Sequence, residues 1–264
     1  MRVALEFFLA FGLLSLSAVP AGLCADAAVT KANAMVLKGE AHPAIKLLNT
    51  YIKTHPKDAD AYAARGSAYR FIENDALALK DLSKAIELNP HCAQAYFERA
   101  MCYSGKNQLQ KSISDYSKAI ESNPKNPEYL GNRGMLYKTL KQPDKAVADF
   151  SKAIEIDPKP RWAYVQRGIV YQENNKLDAA LADFNKIAEL DPSDFNAYEL
   201  RGKCELAKKD YEAALKDFTK VIELEPDYMG GYVYRARTND AKLGKNSKAA
   251  LADWTIARKK GYTP

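Results

Sequence analysis

Proline recurs in this chain at a constant interval, and this interval constrains the fold more than any other feature. Self-similarity at a period of about 20 to 50 residues is the signature of repeat architectures. Proline also ends helices, because its ring removes a backbone donor and clashes with the preceding turn. The sequence therefore predicts repeated helical units of one fixed length. The prolines, each 34 residues after the last, are Pro56, Pro90, Pro124, Pro158, Pro192 and Pro226.

Each unit carries two amphipathic patterns when its proline is numbered as position 32. Position 4 is aromatic or aliphatic, position 7 is Arg, position 8 is Gly or Ala and position 11 is Tyr, which is the spacing of one helix face. A polar turn follows, and then Ala at position 20, an aliphatic residue at 21 and Phe, Tyr or Leu at 24. Small residues at positions 8 and 20 allow two helices to cross closely. We therefore expect two packed helices in each unit.

These columns resemble the tetratricopeptide repeat (TPR) family. The resemblance implies an all-α fold, a right-handed α-solenoid of about seven TPR helix-turn-helix units. In the clearest unit the matching residues are Tyr62, Arg65, Gly66, Tyr69, Ala78, Leu82, Ala85 and Pro90. The predicted boundaries are a signal peptide over 1–27, a degenerate repeat over 28–58, full repeats over 59–92, 93–126, 127–160, 161–194 and 195–228, and a terminal repeat over 231–264.

The last repeat is out of phase with the others by two residues. Arg237, Ala250 and Asp253 keep the internal spacing of the earlier units. We therefore place the two extra residues before its first helix, within 227–231, where two glycines fit a looser linker. No further polar helix follows to cover this repeat. A face carrying Leu251 and Trp254 predicts weak self-association through the uncapped repeat, with a merely exposed end as the alternative.

The first 27 residues have the composition of a cleaved signal peptide. Arg2 gives a minimal positive region, Phe7 to Val19 is an apolar or small run, and Ala25-Asp26-Ala27 offers small residues before a cut. The apolar run is too short to span a bilayer comfortably, so no stable membrane span is expected after cleavage. We therefore predict an exported protein, periplasmic or secreted. The alternative is a membrane-anchored lipoprotein, modified at Cys24.

Charge and cysteine usage narrow the function further. Lys and Arg total 39 against 33 Asp and Glu, but the two signs alternate along the chain, which indicates a solvated helical surface and no nucleic-acid partner. Cys92 and Cys102 would lie about 15 Å apart on one helix, beyond disulfide reach. We expect these two and Cys204 to be buried as small apolar side chains. No metal-binding, phosphate-binding or nucleophile motif is present, so the sequence predicts no enzyme and no cofactor.

Two charged pairs recur with the repeat and are interpreted as structural. Arg at position 7 and Asp at position 23 lie sixteen residues apart in six units, from Arg65/Asp81 to Arg237/Asp253. A ligand site is needed once, whereas a pair in every unit indicates a repeated ion pair between packed helices. Lys at position 26 and Glu at 29 lie one turn apart and are predicted to face solvent.

The side chains that change between units are the better candidates for binding. In TPR arrays the first helices line a concave groove, and the resemblance implies that positions 2, 5, 9 and 12 point into it. Met and aromatic residues there suit an apolar peptide segment. That Val165 and Ile169 simply pack against adjacent helices remains the alternative. The predicted groove residues are Phe97, Met101, Met135, Trp162, Val165, Ile169, Lys203, Arg235 and Asn239.

Three functional hypotheses follow from these patterns. The leading one is an exported TPR scaffold or adaptor that binds a partner protein or peptide segment in its concave groove. The second is a lipid-anchored envelope assembly factor, and the third is an unrecognised enzyme or carbohydrate-binding module. Some TPR domains clamp a terminal carboxylate with Lys, Asn and Arg at positions 5 and 9. Pairs such as Phe97/Met101 and Gly131/Met135 depart from that pattern.

Overall fold

The computed structural model describes residues 26–245 and 247–263, and this part of the chain consists of helices joined by short turns without a strand. The first 25 residues, which hold most of the predicted signal peptide and Cys24, lie outside the described residues. The helices are α1 Ala27–Leu37, α2 Ala41–Thr54, α3 Ala59–Phe71, α4 Asp75–Leu88, α5 Ala93–Gly105, α6 Leu109–Ser122, α7 Pro127–Thr139, α8 Pro143–Ile156, α9 Arg161–Glu173, α10 Leu177–Leu190, α11 Phe195–Ala207, α12 Tyr211–Leu224, α13 Met229–Leu243 and α14 Lys248–Lys259.

The helices form two compact units, residues 1–133 and 134–264, with the boundary inside α7. We call them the N-terminal unit and the C-terminal unit. In both, odd-numbered helices are the first helices of the repeats and even-numbered helices are the second. Among the regular repeats, first helices have 13 residues and second helices have 14. The predicted two-helix unit is therefore confirmed.

The turn inside each of the first six repeats uses a left-handed residue at one fixed position. Its N–H and that of the following residue close the end of the first helix, as in the bonds from Glu73 to the Arg70 carbonyl and from Asn74 to the Tyr69 carbonyl, both 2.9 Å long. This is the Schellman pattern of helix ends. The left-handed residues, all with φ between 55° and 81°, are Gly39, Glu73, Asn107, Lys141, Asn175 and Lys209.

Close helix crossings explain the small residues at position 8. A Cβ added to Gly168 would lie 2.5 Å from Cε1 of Phe184, and one added to Gly202 would lie 2.9 Å from Cε1 of Phe218. The glycines of α9 and α11 thus receive the buried aromatic rings of α10 and α12. The sequence prediction of close packing at this column is confirmed.

The register predicted for the last repeat is wrong. Helix α13 begins at Met229 and has 15 residues, so the two extra residues lie within the first helix rather than before it. Arg235, which is 34 residues after Arg201, makes the ion pair with Asp253 over a spacing of 18 residues. Arg237, the predicted partner, is exposed and donates to the Tyr262 hydroxyl. Pro226 ends α12 in the regular register, so α13 starts in phase and absorbs the insertion by extending.

Smaller features complete the description of the two ends and the cysteines. Asp26 caps α1 by accepting from the Ala28 N–H at 2.9 Å, so a cut after Ala27 would remove this cap. Near the other end, Trp254 stacks on Tyr262 and donates to Asp240, whereas Leu251 is exposed. Within the described residues no helix is long and apolar enough to cross a membrane. As predicted, buried free thiols are found at Cys92, Cys102 and Cys204.

Candidate functional site

The repeated Arg–Asp pair is structural, as predicted, and it extends further than the sequence indicated. Nε and Nη2 of Arg65 donate to the two carboxylate oxygens of Asp81 at 2.6 and 2.9 Å. Its Nη1 donates to Oδ1 of Asn49 in the preceding repeat at 2.8 Å. This third bond recurs because position 25 of the preceding repeat is polar in each case, a regularity that is also present in the sequence. The acceptors are Asn49, Ser83, Ser117, Ser151, Asn185 and Thr219.

A second ion pair in the N-terminal unit occurs once and breaks the repeat pattern. Glu98 on α5 is buried, with 2% of its surface exposed. Nε of Arg70 on α3 donates to its Oε2 at 2.5 Å, and the Ser67 hydroxyl and the Gln94 amide donate to Oε1 at 3.0 and 2.9 Å. Three side chains from two first helices therefore converge on one carboxylate.

Glu128 brings a second carboxylate to this pair. It lies in the first turn of α7, and burial raises its pKa to about 7, with the negative charge of Glu98 adding to the shift. A carboxylate near a helix N-terminus is normally stabilised in its charged form, so the cost of burial outweighs that benefit here. We name the Glu98 cluster as Ser67, Arg70, Gln94, Glu98 and Glu128.

Aromatic rings and an unsatisfied hydroxyl border the Glu98 cluster. The Phe97 ring lies 5.0 Å from the Tyr129 ring and 5.9 Å from the Tyr116 ring, centroid to centroid. Tyr116 is 1% exposed, and its hydroxyl has no hydrogen-bond partner. Burial raises the pKa of Tyr116, the charge of Arg70 opposes this rise and the charge of Glu98 adds to it, which places the hydroxyl near their charges.

The sequence predicted the apolar residues of this site but not its charged and amide residues. Phe97 and Met101 were predicted, and both are partly buried on α5, the helix that carries Glu98. Arg70, Gln94, Glu98 and Glu128 were not among the predicted residues. One signal was available: position 6 is Ala64 in the second repeat and Gln166 in the fifth, both buried, yet it is a glutamate in the third. A charged residue in a buried column requires partners.

The predicted apolar residues of the C-terminal unit are partly engaged in packing. Met135 and Trp162 pack against the buried core around Phe150. Val165 and Ile169 pack against the buried core around Phe184, which favours the packing alternative for these two side chains. All four remain partly exposed.

The polar and charged residues predicted in the C-terminal unit, Lys203, Arg235 and Asn239, have three different surroundings. Lys203 pairs with Glu199 one helical turn away, and its Nζ lies 4.5 Å from the centre of the Tyr234 ring. Arg235 is not a groove residue, because it takes the structural position 7 and pairs with Asp253 and Thr219. Asn239 is 8% exposed, so little of its side chain is available to a partner. Both corrections follow from the two-residue error in the predicted register.

No group of three metal-ligating side chains is found among the described residues. Burial raises the pKa of the Cys102 thiol to about 12 and that of Cys204 to about 11, so both thiols stay protonated at neutral pH. A thiolate is the reactive form of cysteine. The candidate site, the Glu98 cluster and its neighbours, consists of charged groups, amide groups and aromatic rings.

These observations define an all-α repeat protein whose N-terminal unit carries the Glu98 cluster on its first helices. Tetratricopeptide repeat models match residues 59–92, 93–126, 127–160 and 165–228. The chain belongs to the tetratricopeptide repeat family, and its fold class is an all-α solenoid of TPR repeats. Proteins of this family are generally non-catalytic scaffolds. No curated protein sequence matches the chain.

Solved structures with the same fold support this assignment. YrrB, described as a TPR protein with an unusual peptide-binding site, is 26% identical with a TM-score of 0.62, over 70% of this chain and 95% of its own. A tetratricopeptide repeat protein from Parabacteroides merdae is 24% identical with a TM-score of 0.60, over 89% of this chain and 93% of its own. The C-terminal part of a TPR protein from Cytophaga hutchinsonii is 17% identical with a TM-score of 0.73, over 89% of this chain and all of its own. These likenesses and the repeat family support a protein-binding scaffold.

Proposed function

We propose that this chain is an exported scaffold that binds a segment of a partner protein through side chains of its first helices. The observation that carries the proposal is the Glu98 cluster. The cluster joins the buried Glu98 to Arg70 of the preceding repeat, in addition to the ion pair that recurs within the repeats. YrrB, the similar structure with a peptide-binding site, supports the same mode of action.

Side chains beside the cluster fit contact with a peptide. Phe97 and Met101 are partly exposed on the same helix as Glu98. Aromatic and Met side chains adapt to the irregular surface of a bound segment, whereas polar groups set its register and orientation. Met101 is the better residue to mutate. Met135 also packs against the core around Phe150, so its replacement would disturb the fold as well.

Affinity capture from an envelope extract tests the proposal with two matched variants. Met101→Asp should leave the helical circular dichroism signal unchanged and reduce capture of the partner about tenfold or more, because a charge replaces an apolar contact. Leu77→Asp changes an exposed apolar residue on α4, a second helix of the same unit, and should capture as much as the wild type. Full capture by Met101→Asp would move the site away from the first helices.

Export is proposed from the apolar run and the small residues that follow it. Mass spectrometry of the protein purified from its native host tests this directly. We expect a processed chain with a free amino terminus at Ala28. A diacylglyceryl group on Cys24 would contradict this and favour the lipid-anchored alternative, and an intact Met1 would remove export altogether.

A further inference from the structure

We propose that the Glu98 cluster receives a basic side chain, so that the N-terminal unit selects an extended partner segment that carries Lys or Arg. This inference rests on the proposed function and specifies the chemistry of the partner. The proposed basic segment differs from the apolar segment that the sequence predicts, because the sequence alone does not indicate that Arg70, Glu98 and Glu128 come together.

Charge complementarity is the first argument. On the first helices of the N-terminal unit, Arg65 and Arg99 are engaged by Asp81 and Asp115 of the second helices. Arg70 is engaged by Glu98. Among the described residues, no ion pair neutralises Glu128 or Asp60, a second acidic residue at position 2 of its repeat. A partner cation would supply the missing positive charge.

Burial of these carboxylates is the second argument. Burial raises the pKa of Asp60, with the charge of Asp58 adding to the shift, and it raises that of Glu128 to about 7. Both acids are therefore held in surroundings that disfavour their ionised form. A lysine or arginine beside them would reverse this, since an opposite charge a few ångström away favours ionisation. The neighbouring Phe97 ring, which is partly exposed, can add cation–π attraction.

Capping of a helix N-terminus does not explain why Asp60 and Glu128 are acidic. Carboxylates are common in the first turn of a helix, where they cap orphan N–H groups. However, α3 is already capped by Asp58, which accepts from the Ala61 N–H at 3.0 Å. The Glu128 N–H likewise donates to the Asn126 side chain at 2.9 Å. Asp60 and Glu128 are therefore not required as caps.

The Tyr116 hydroxyl is an independent sign that a group is missing. It is buried near the charges of Arg70 and Glu98 and lacks a hydrogen-bond partner. A buried hydroxyl without a partner destabilises the folded state, and such groups in native proteins call for an explanation. Its position beside Arg70 and Glu98 shows that the polar packing of this cluster is incomplete.

The repeat geometry sets the spacing of the basic residues. Asp60 and Glu128 occupy position 2 of repeats two apart, with Gln94 between them. Neighbouring packed helices lie about 10 Å apart, so the two carboxylates are roughly 20 Å apart. An extended chain spans about 3.4 Å per residue, so two basic side chains about six residues apart would reach both acids.

Fluorescence anisotropy on the full chain tests the inference with three labelled twelve-residue peptides of Gly, Ser and Ala. Two positions six residues apart hold Lys in the first peptide, Glu in the second and Leu in the third. We expect the Lys peptide to bind at least tenfold more tightly than the other two at pH 8 and low salt. Glu128→Gln and Asp60→Asn should each weaken it about fivefold to tenfold. Glu155→Gln, at an exposed pair on α8, should leave it unchanged.

The outcomes separate this inference from the proposed function. Equal or tighter binding of the Leu or Glu peptide would overturn the preference for a basic segment and leave peptide binding standing. Binding of the Lys peptide that is unaffected in Glu128→Gln and Asp60→Asn, with circular dichroism confirming both folds, would also overturn it. Absence of binding by all three peptides would count against this site and against peptide binding by the first helices.

Discussion

Two ion pairs of similar chemistry have different surroundings in the two units. Arg201 and Asp217 in the C-terminal unit form a bidentate pair, and Arg201 also donates to Asn185, so each charged group is satisfied. Arg70 and Glu98 in the N-terminal unit are comparably buried, but a half-buried acid and an unpartnered hydroxyl lie beside them. Within the described residues the first arrangement recurs from repeat to repeat, whereas the Arg70–Glu98 arrangement does not.

The difference separates an ion pair that recurs with the repeat from a cluster that does not follow it. A pair that recurs in register meets a need shared by every repeat, which is the packing of its two helices. A cluster that occurs once and leaves polar groups unsatisfied lowers stability without serving that need. Functional sites often carry such a cost. The comparison therefore predicts opposite effects of mutation in the two regions.

Removal of the Asp217 carboxylate should give the largest effect on stability. Asp217→Ala leaves the Arg201 guanidinium partly buried without its counterion, and breaking such a pair costs about 3 kcal/mol. Urea unfolding followed by circular dichroism at 222 nm measures the loss as a lower midpoint.

The matched control is Glu189→Ala, which removes the partner of the exposed Lys186 and should change stability by less than about 0.5 kcal/mol. Equal losses in the two variants would contradict a structural role for the repeated pair.

Crowding of the helix crossing should give an intermediate effect. In Gly168→Ala the new methyl group would lie 2.5 Å from Cε1 of Phe184, so the ring or the helix must shift, at about 2 kcal/mol. Gly105→Ala serves as the control because no atom lies within 4 Å of its added methyl group. This variant should be neutral or stabilising by roughly 0.5 kcal/mol. Similar unfolding midpoints for the two variants would disprove the close crossing.

Neutralising Glu128 should give the smallest effect, with the opposite sign. The pKa of Glu128 rises from 4.5 to about 7 on folding, so between these values the folded chain holds a proton that the unfolded chain has released. Stability therefore falls as the pH rises through this window, and the full penalty remains above pH 7. Glu128→Gln should remove it and raise stability by about 1 kcal/mol at pH 8, after allowance for partial exposure.

Urea unfolding of wild type and Glu128→Gln at pH 4 and pH 8 checks this expectation. The two proteins should have similar midpoints at pH 4, where the glutamate is protonated in both states, and should differ at pH 8. A variant that is less stable than the wild type at pH 8 would show that Glu128 contributes to the fold and would place it with the repeated pairs.

The repeated features were predictable from the sequence because each column is observed several times. The six prolines in register predict the length of the unit, and the structure confirms that Arg65 and Asp81 form one of a series of ion pairs. The register of the final repeat was predicted wrongly because its insertion occurs in one repeat alone. Arg237 keeps the usual spacing from Asp253, and only the structure of α13 shows that Arg235 makes the bond. One exception to a period provides too little information to locate an insertion.

The candidate site was predicted only in part because its residues meet across repeats. Glu98 and Arg70 are 28 residues apart, a spacing that does not recur, and the pKa of Glu128 depends on burial that no local pattern encodes. The apolar members Phe97 and Met101 were found because they occupy positions that the repeat family exposes. Their polar neighbours required knowledge of which side chains converge.

The third hydrogen bond of each repeated arginine affects how this chain can be shortened. Because Arg65 is bonded to Asn49 of the preceding repeat, a fragment that starts at a proline boundary such as Pro56 leaves that guanidinium incompletely bonded. The helix that carries Ser67 and Arg70 would then have lost one of its anchors. Truncations designed to isolate the Glu98 cluster should therefore begin before α2, because the hydrogen bonds that stabilise one repeat extend into the repeat before it.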